Sequence, residues 1–161
     1  MFRVLKPGGI FGVYEWVMTD EYNSSDDRHQ AVRLGIERGN GISNMVPRKE
    51  ALQAMQKAGF IVEYEEDIAK RTDRKPWYAP LDGDLGSSHN LTDFLGYLRM
   101  SKLGRIVIGC ILRSMEALRL APSGTAETAA ELSDGADALV AGGKENLFTP
   151  MYLMIVRKPL I

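Results

Sequence analysis

Tyr14-Glu15-Trp16 sets a carboxylate between two aromatic rings, and no other triplet in the chain concentrates as much chemistry. Both residue types attract positive charge. An aromatic face draws a cation by roughly 0.5–2 kcal/mol, and more strongly once water is excluded. A fixed carboxylate in a low-dielectric site does more, because it needs no reorganisation as charge develops. A strand must position these groups. Ile10 to Val17 is apolar, β-rich and about the length of a buried strand. Pro7-Gly8-Gly9 ahead of it is a tight turn, since proline presets φ and glycine accepts positive φ. The triplet therefore falls at the C-terminal end of a strand, where ligands sit in open α/β sheets.

Alternation puts Tyr14 and Trp16 on one face and Glu15 on the other, so the three meet only where the strand ends or bulges. In one reading Glu15 faces a pocket or its rim and one ring lines the cavity. In the other, both rings pack in the core and Glu15 is a paired structural carboxylate. Asp20 and Glu21 follow the strand and read as a solvated acidic turn leading a helix.

The supporting elements alternate. Asn23, Ser24 and Ser25 are N-cap candidates for a helix from about Asp26 to Arg38, stopped by Gly39-Asn40-Gly41. Pro47 opens a second helix through Ala58, Gly59 closes it, and Phe60 to Tyr64 reads as a strand. This is the ordinary α/β rhythm. It changes after Asp67. Arg71 to Ser88 is rich in charge, proline and glycine and reads as a long loop. A helix follows from about Thr92 to Arg119, with a break expected near Gly104 or Gly109. Pro122-Ser123-Gly124 interrupts the chain; Ser123 or Thr125 caps a further helix to about Val140, ahead of Gly142-Gly143. The last strand is Met151 to Val156, ended by Pro159. Three strands make a small sheet for a doubly wound fold.

Composition narrows the function classes. The 161 residues carry a net charge of −1, which gives no electrostatic footprint for nucleic acid. The single cysteine, Cys110, lies in an apolar run and reads as a small core residue. His29 and His89 lack metal-ligand spacing, so no metal is expected. The apolar run Ile106 to Leu112 is bracketed by Arg105 and Arg113 and is far short of the roughly 20 residues that span a bilayer. No targeting segment is evident. The chain is expected to be soluble or peripheral to a membrane.

Leu5-Lys6-Pro7-Gly8-Gly9 before a strand resembles the segment preceding the fifth strand of class I S-adenosylmethionine-dependent methyltransferases. Narrower motifs are Tyr14 to Asp20, Pro76-Trp77-Tyr78 with Pro80-Leu81, and Leu120 to Gly124. To these the tail adds Leu139 to Lys144, Leu147 to Met151 and Arg157-Lys158-Pro159. Together they resemble sterol 24-C-methyltransferases over nearly the whole chain.

The resemblance implies an α/β fold, the C-terminal part of a seven-stranded sheet. Its fifth, sixth and seventh strands would be present, the last antiparallel and inserted between the other two. Residues 1–70 would be α/β sheet, 71–148 a helical region on the sterol side, and 149–161 the final strand. The implied reaction is methyl transfer from S-adenosylmethionine to carbon 24 of a Δ24 sterol. An alkene attacks the methyl group, a carbocation forms, a hydride shifts and a proton leaves. Glu15 and Tyr14 would then be catalytic. Trp16, Trp77, Tyr78 and Phe94 would bind substrate. Trp77 and Tyr78, held between Pro76 and Pro80, lie over the sterol rings or pin a long loop to the core.

Phe94, Leu95, Leu98, Ile106, Val107 and Ile111 share an apolar helical face, read as core, sterol-lining or lipid-facing. Arg99, Lys102, Arg105 and Arg113 flank it, which suits peripheral contact with an anionic membrane. The glycine-rich cofactor loop would lie upstream of Met1, so cofactor-binding residues stay unassigned and the chain alone is expected to be inactive. Expected partners are the sterol and a second copy of the chain, at the endoplasmic reticulum or microsomal surface. The rival functions are a methyltransferase for another small molecule and a non-catalytic lipid-binding or dimerisation module.

Overall fold

The computed structural model describes residues 1–71, 75–84 and 90–160. Part of the loop expected over Arg71 to Ser88, and His89, lie outside the described residues. A three-stranded sheet organises the rest: β1 (Ile10–Met18), β2 (Ile61–Asp67) and β3 (Phe148–Arg157), in the order β1-β3-β2. The last strand is antiparallel to both neighbours and lies between them, as the resemblance implied. The Pro7-Gly8-Gly9 turn forms as expected: Gly8 has φ 76°, and Gly9 N–H donates to the Lys6 carbonyl at 2.9 Å.

Two small cores form on opposite faces of this sheet, and the alternation of β1 assigns residues to each. Val13 and Val17 pack with Tyr152 and Met154 against Ala51, Leu52 and Met55 of α2 (Arg48–Lys57). Trp16 and Met18 turn the other way, toward Phe148, and toward Val32 and Ile36 of α1 (Asp27–Asn40). α1 crosses α6 (Thr125–Lys144) with the two backbones almost touching. A Cβ on Gly39 would overlap Gly135, and one on Gly135 would overlap Gly39. Gly39 is therefore a crossing residue, while Gly41, at φ 63°, supplies the left-handed stop.

Several boundaries differ from the sequence expectation for identifiable reasons. α1 is capped by Asp26, whose carboxylate accepts from the Arg28 and His29 N–H groups, rather than by Asn23, Ser24 or Ser25. The expected helix from Thr92 to Arg119 is two helices, α4 (Leu91–Met100) and α5 (Lys102–Ala117). The break falls at Ser101, not at Gly104 or Gly109. Ser101 is extended, at ψ 158°, and its hydroxyl caps α5 by accepting from Gly104 N–H. Gly104 serves the same corner, because a Cβ there would strike the Leu98 and Arg99 carbonyls.

α6 runs through Gly142-Gly143 instead of stopping before them. Gly142 seats Ile36, Val32 and Phe148, and Gly143 lies under the Tyr78 ring, where a Cβ would overlap it. These glycines make room for neighbours rather than ending the helix. A four-residue helix, α3 (Ala79–Asp82), forms inside the segment read as loop. β2 extends to Asp67, and β3 starts at Phe148 rather than Met151. Cys110 is exposed, contrary to its core assignment, because the outer face of α5 is apolar and uncovered among the described residues.

Candidate functional site

The C-terminal end of β1 is shaped by an irregularity in its partner. Glu15 pairs with Tyr152, but Val17 pairs with Thr149, so β3 fits one extra residue opposite Trp16. Pro150 lies in that interval and has no N–H to give the ladder. The Thr149 hydroxyl accepts from Met151 N–H at 3.2 Å and donates to the Asp67 carboxylate at 2.6 Å, which ties the bulge to the end of β2. The local break in pleating meets the condition for a carboxylate and a ring to meet. Glu15 and Trp16 line one hollow of about 340 Å³ with Ile42, Asn44, Met45 and Val46.

The far wall of this hollow is the segment between α1 and α2. Met18 N–H donates to the Val46 carbonyl at 3.0 Å, which lays the segment across the end of β1. The Glu37 carboxylate accepts from Met45 N–H at 2.7 Å. Asn44 is left-handed at φ 59°, a conformation asparagine tolerates better than most residues. A second hollow of about 370 Å³ lies on the other side of this wall, lined among others by Tyr22, Gln30, Arg33 and Glu50. Each is within the range of small-molecule sites.

The charges around the strand end sort themselves. Asp20 is paired with Arg48 at 2.5 Å and with Lys49 at 3.8 Å, so it is a bridged surface carboxylate. Glu15 is exposed and has no ion pair or hydrogen bond among the described residues. Trp16 is half-buried and packs edge-on against Phe148 at 5.2 Å between centroids. Tyr14 is 50% exposed and lines none of the hollows described. On the far side of the sheet Tyr152 is buried and its hydroxyl donates to Glu65. Burial first, and then the Glu65 carboxylate, push its ionisation well above the usual tyrosine range.

The other expected substrate residues are placed elsewhere. Trp77 packs edge-on against both Phe148 and Tyr78, at 5.5 Å in each case. Phe148 thus holds Trp16 on one side and Trp77 on the other. The Pro76–Pro80 clip is pinned to the core, with Tyr78 over Gly143. Trp77 and Tyr78 also line a separate hollow of about 200 Å³ with Asp67 and Thr149. Phe94 lies on α4, 37% exposed, and lines neither hollow beside β1. Sequence reasoning missed the Ile42–Val46 wall. Its only local signal was an asparagine in a glycine-bounded connection.

These features define an α/β unit with an antiparallel strand inside its sheet and a hollow at a strand end. Residues 95–160 match the family described as sterol methyltransferase C-terminal. The chain is 51% identical over 159 residues to a sterol 24-C-methyltransferase of Gibberella zeae, and 50% identical over 160 residues to one of Neurospora crassa. It is 50% identical over 159 residues to another of Aspergillus fumigatus. In each case 99% of this chain and 42% of the relative are covered. Among solved structures, the [4+2]-cyclase SpnF is 21% identical with a TM-score of 0.44, over 99% of this chain and 42% of that one. The chain belongs to the sterol 24-C-methyltransferase family and corresponds to its C-terminal portion.

The class implies S-adenosylmethionine, and the described residues do not fit it as a cradle. Phosphate- and nucleoside-binding turns of α/β folds carry glycines between a strand and the helix after it. Here β1 leads into α1 through Thr19 to Asp26, without a glycine, and β2 leads into a 3-10 turn, Ile68–Lys70. The glycines at Gly39, Gly135, Gly142 and Gly143 are committed to helix packing.

Proposed function

We propose that this chain is the acceptor side of an S-adenosylmethionine-dependent sterol 24-C-methyltransferase. The hollow at the end of β1 takes the reacting end of the sterol side chain. Methylation of a Δ24 alkene leaves a positive centre on the side chain, discharged by a hydride shift and loss of a proton. Glu15 supplies fixed negative charge beside that centre, and Trp16 supplies a π face. Tyr14 stands outside the hollow in this reading. Trp77 and Tyr78 hold the helical region against the sheet through Phe148. In a longer protein the open edge of β1 would continue into a larger sheet, the seven-stranded one of the class.

The observation that carries this reading is the Glu15 carboxylate, without a partner among the described residues, sharing a hollow with Trp16. The kinship with sterol 24-C-methyltransferases favours it over a non-catalytic lipid module or a methyltransferase for another small molecule. The test is to exchange the C-terminal portion of a full-length relative for this chain. The chimera is expected to methylate a Δ24 sterol, whereas this chain alone gives no turnover. A chimera that folds but methylates only a phenol or amine would overturn the proposal.

A further inference from the structure

The helical region carries a face that nothing among the described residues covers. α5 turns Leu103, Val107, Ile111 and, just beyond its end, Leu118 outward, at spacings of four, four and seven. Leu103 is 66% exposed and Leu118 70%. α4 adds Leu91 and Leu95, at 73% and 55%. Between the two helices lies an open hollow of about 350 Å³, lined by Leu95, Leu98, Leu103, Val107 and Ile108, with Arg99 as its only charged group among the described residues. Single exposed apolar residues are ordinary; a contiguous set of this extent marks an interaction surface.

Charge says which kind of surface. Residues 91–120 hold five cations (Arg99, Lys102, Arg105, Arg113, Arg119) and two acids (Asp93, Glu116), a net +3 in a chain of net −1. Lys102 and Arg105 are turned to Asp137 of α6. Glu116 is turned inward as well, where its carboxylate accepts from Gly124 and Ala126 N–H and caps α6. That leaves Arg99, Arg113 and Arg119 without an ion-pair partner among the described residues. An apolar stripe beside cations that have no ion-pair partner among the described residues suits an anionic lipid surface. A two-fold contact with a second copy would instead set these cations against themselves. Among the described residues no helix is long and apolar enough to cross a membrane, so the fit is to lying in the interface.

We propose that the α4–α5 hairpin docks this protein on anionic bilayers, with Leu103, Val107, Ile111 and Leu118 in the acyl boundary and Arg99 and Arg113 at the headgroups. This deepens the functional reading and rests on it for its purpose: a sterol is a bilayer component, and the hairpin would hold the acceptor site beside its supply.

Cys110, the sole cysteine, is exposed between Val107 and Ile111 and reports on this face without any substitution. The experiment attaches an environment-sensitive fluorophore to Cys110 and adds sterol-free phosphatidylcholine–phosphatidylserine vesicles. The emission is expected to shift to the blue and to be quenched by nitroxides on the lipid acyl chains. Vesicle binding should weaken as salt rises from about 0.1 to about 0.5 M. Val107→Asp with Ile111→Asp should lower the vesicle-bound fraction by roughly tenfold or more. Arg99→Gln and Arg113→Gln should each weaken binding about fivefold. Leu34→Asp, on exposed α1 surface, should leave binding unchanged. No shift or quenching with vesicles would overturn the proposal. So would a shift that depends on protein concentration alone, which would make the face a contact between copies. Because the vesicles hold no sterol, failure here is separate from failure of the chimera to methylate one.

Discussion

Glu15 combines exposure, a strand-end position and the lack of a described partner, and each has a consequence. Removing its charge costs the fold little: Glu15→Gln is expected to change unfolding stability by less than about 0.5 kcal/mol in urea. The same substitution should cost the chimera roughly a hundredfold or more in kcat for sterol methylation, the order seen when a preorganised electrostatic group is lost. A stability loss of several kcal/mol would instead mark Glu15 as a structural residue. Trp16 behaves differently, because its ring is shared between the hollow and the Phe148 core. Trp16→Ala should cost roughly 3 kcal/mol of stability, as large-to-small changes of well-packed aromatics do, so its catalytic share is measurable only after correction for folding. Much of the site was legible in the triplet itself. The alternation argument demanded a bulge if carboxylate and ring were to meet. The bulge lies in β3 beside Pro150, a residue whose disruptive role in a strand is written in its chemistry. What the triplet did not reveal was Tyr14, half-exposed away from the hollow, and the wall supplied by Ile42 to Val46. That wall is held by the Glu37 carboxylate and the Met18 N–H, contacts from outside the segment that no local pattern encodes.

Glycines decide the geometry at the scale of elements, and their roles divided where sequence spacing could not separate them. Gly8 and Gly41 take positive φ and were readable as turn and stop. Gly39, Gly135, Gly142 and Gly143 sit inside helices and exist to let neighbours in, which depends on a partner distant in sequence. Reading Gly142-Gly143 as a helix end was the natural inference from propensity, and tertiary packing overrode it. Gly135→Ala should destabilise the chain by about 1–3 kcal/mol through forced separation of α1 and α6. Its urea midpoint should fall accordingly. Gly96→Ala, where a Cβ meets open space, is expected to be neutral or slightly stabilising. Equal effects at the two positions would contradict the crossing argument. The exposure of Cys110 follows from the same limit: an apolar run fixes that a face is greasy, not which of its sides is covered.

For the molecule as a whole, acid stability follows from surface carboxylates held by arginines. Hydrogen bonds from Arg71 and then Tyr64 lower Glu66 to about 2. Arg157 lowers Glu63 and Arg28 lowers Glu145, while the His29 N–H lowers Asp26. A carboxylate whose folded value is depressed contributes stability that is complete above its unfolded value and fades as pH falls through the folded one. Thermal melts should therefore be flat from pH 7 to about 5 and decline between about 4.5 and 2, and the decline should shrink in high salt because these pairs are exposed. A midpoint that falls on going from pH 7 to 5 would contradict this.

Placement of the Glu15 carboxylate to meet positive charge on a sterol side chain should show itself in ligand binding. The ligand is a sterol analogue bearing an ammonium where the cation would form, compared with its neutral counterpart on the chimera. The cationic analogue is expected to bind more tightly, as transition-state mimics do. Glu15→Gln should remove the difference without weakening the neutral sterol. An unchanged preference for the cation in Glu15→Gln would contradict it.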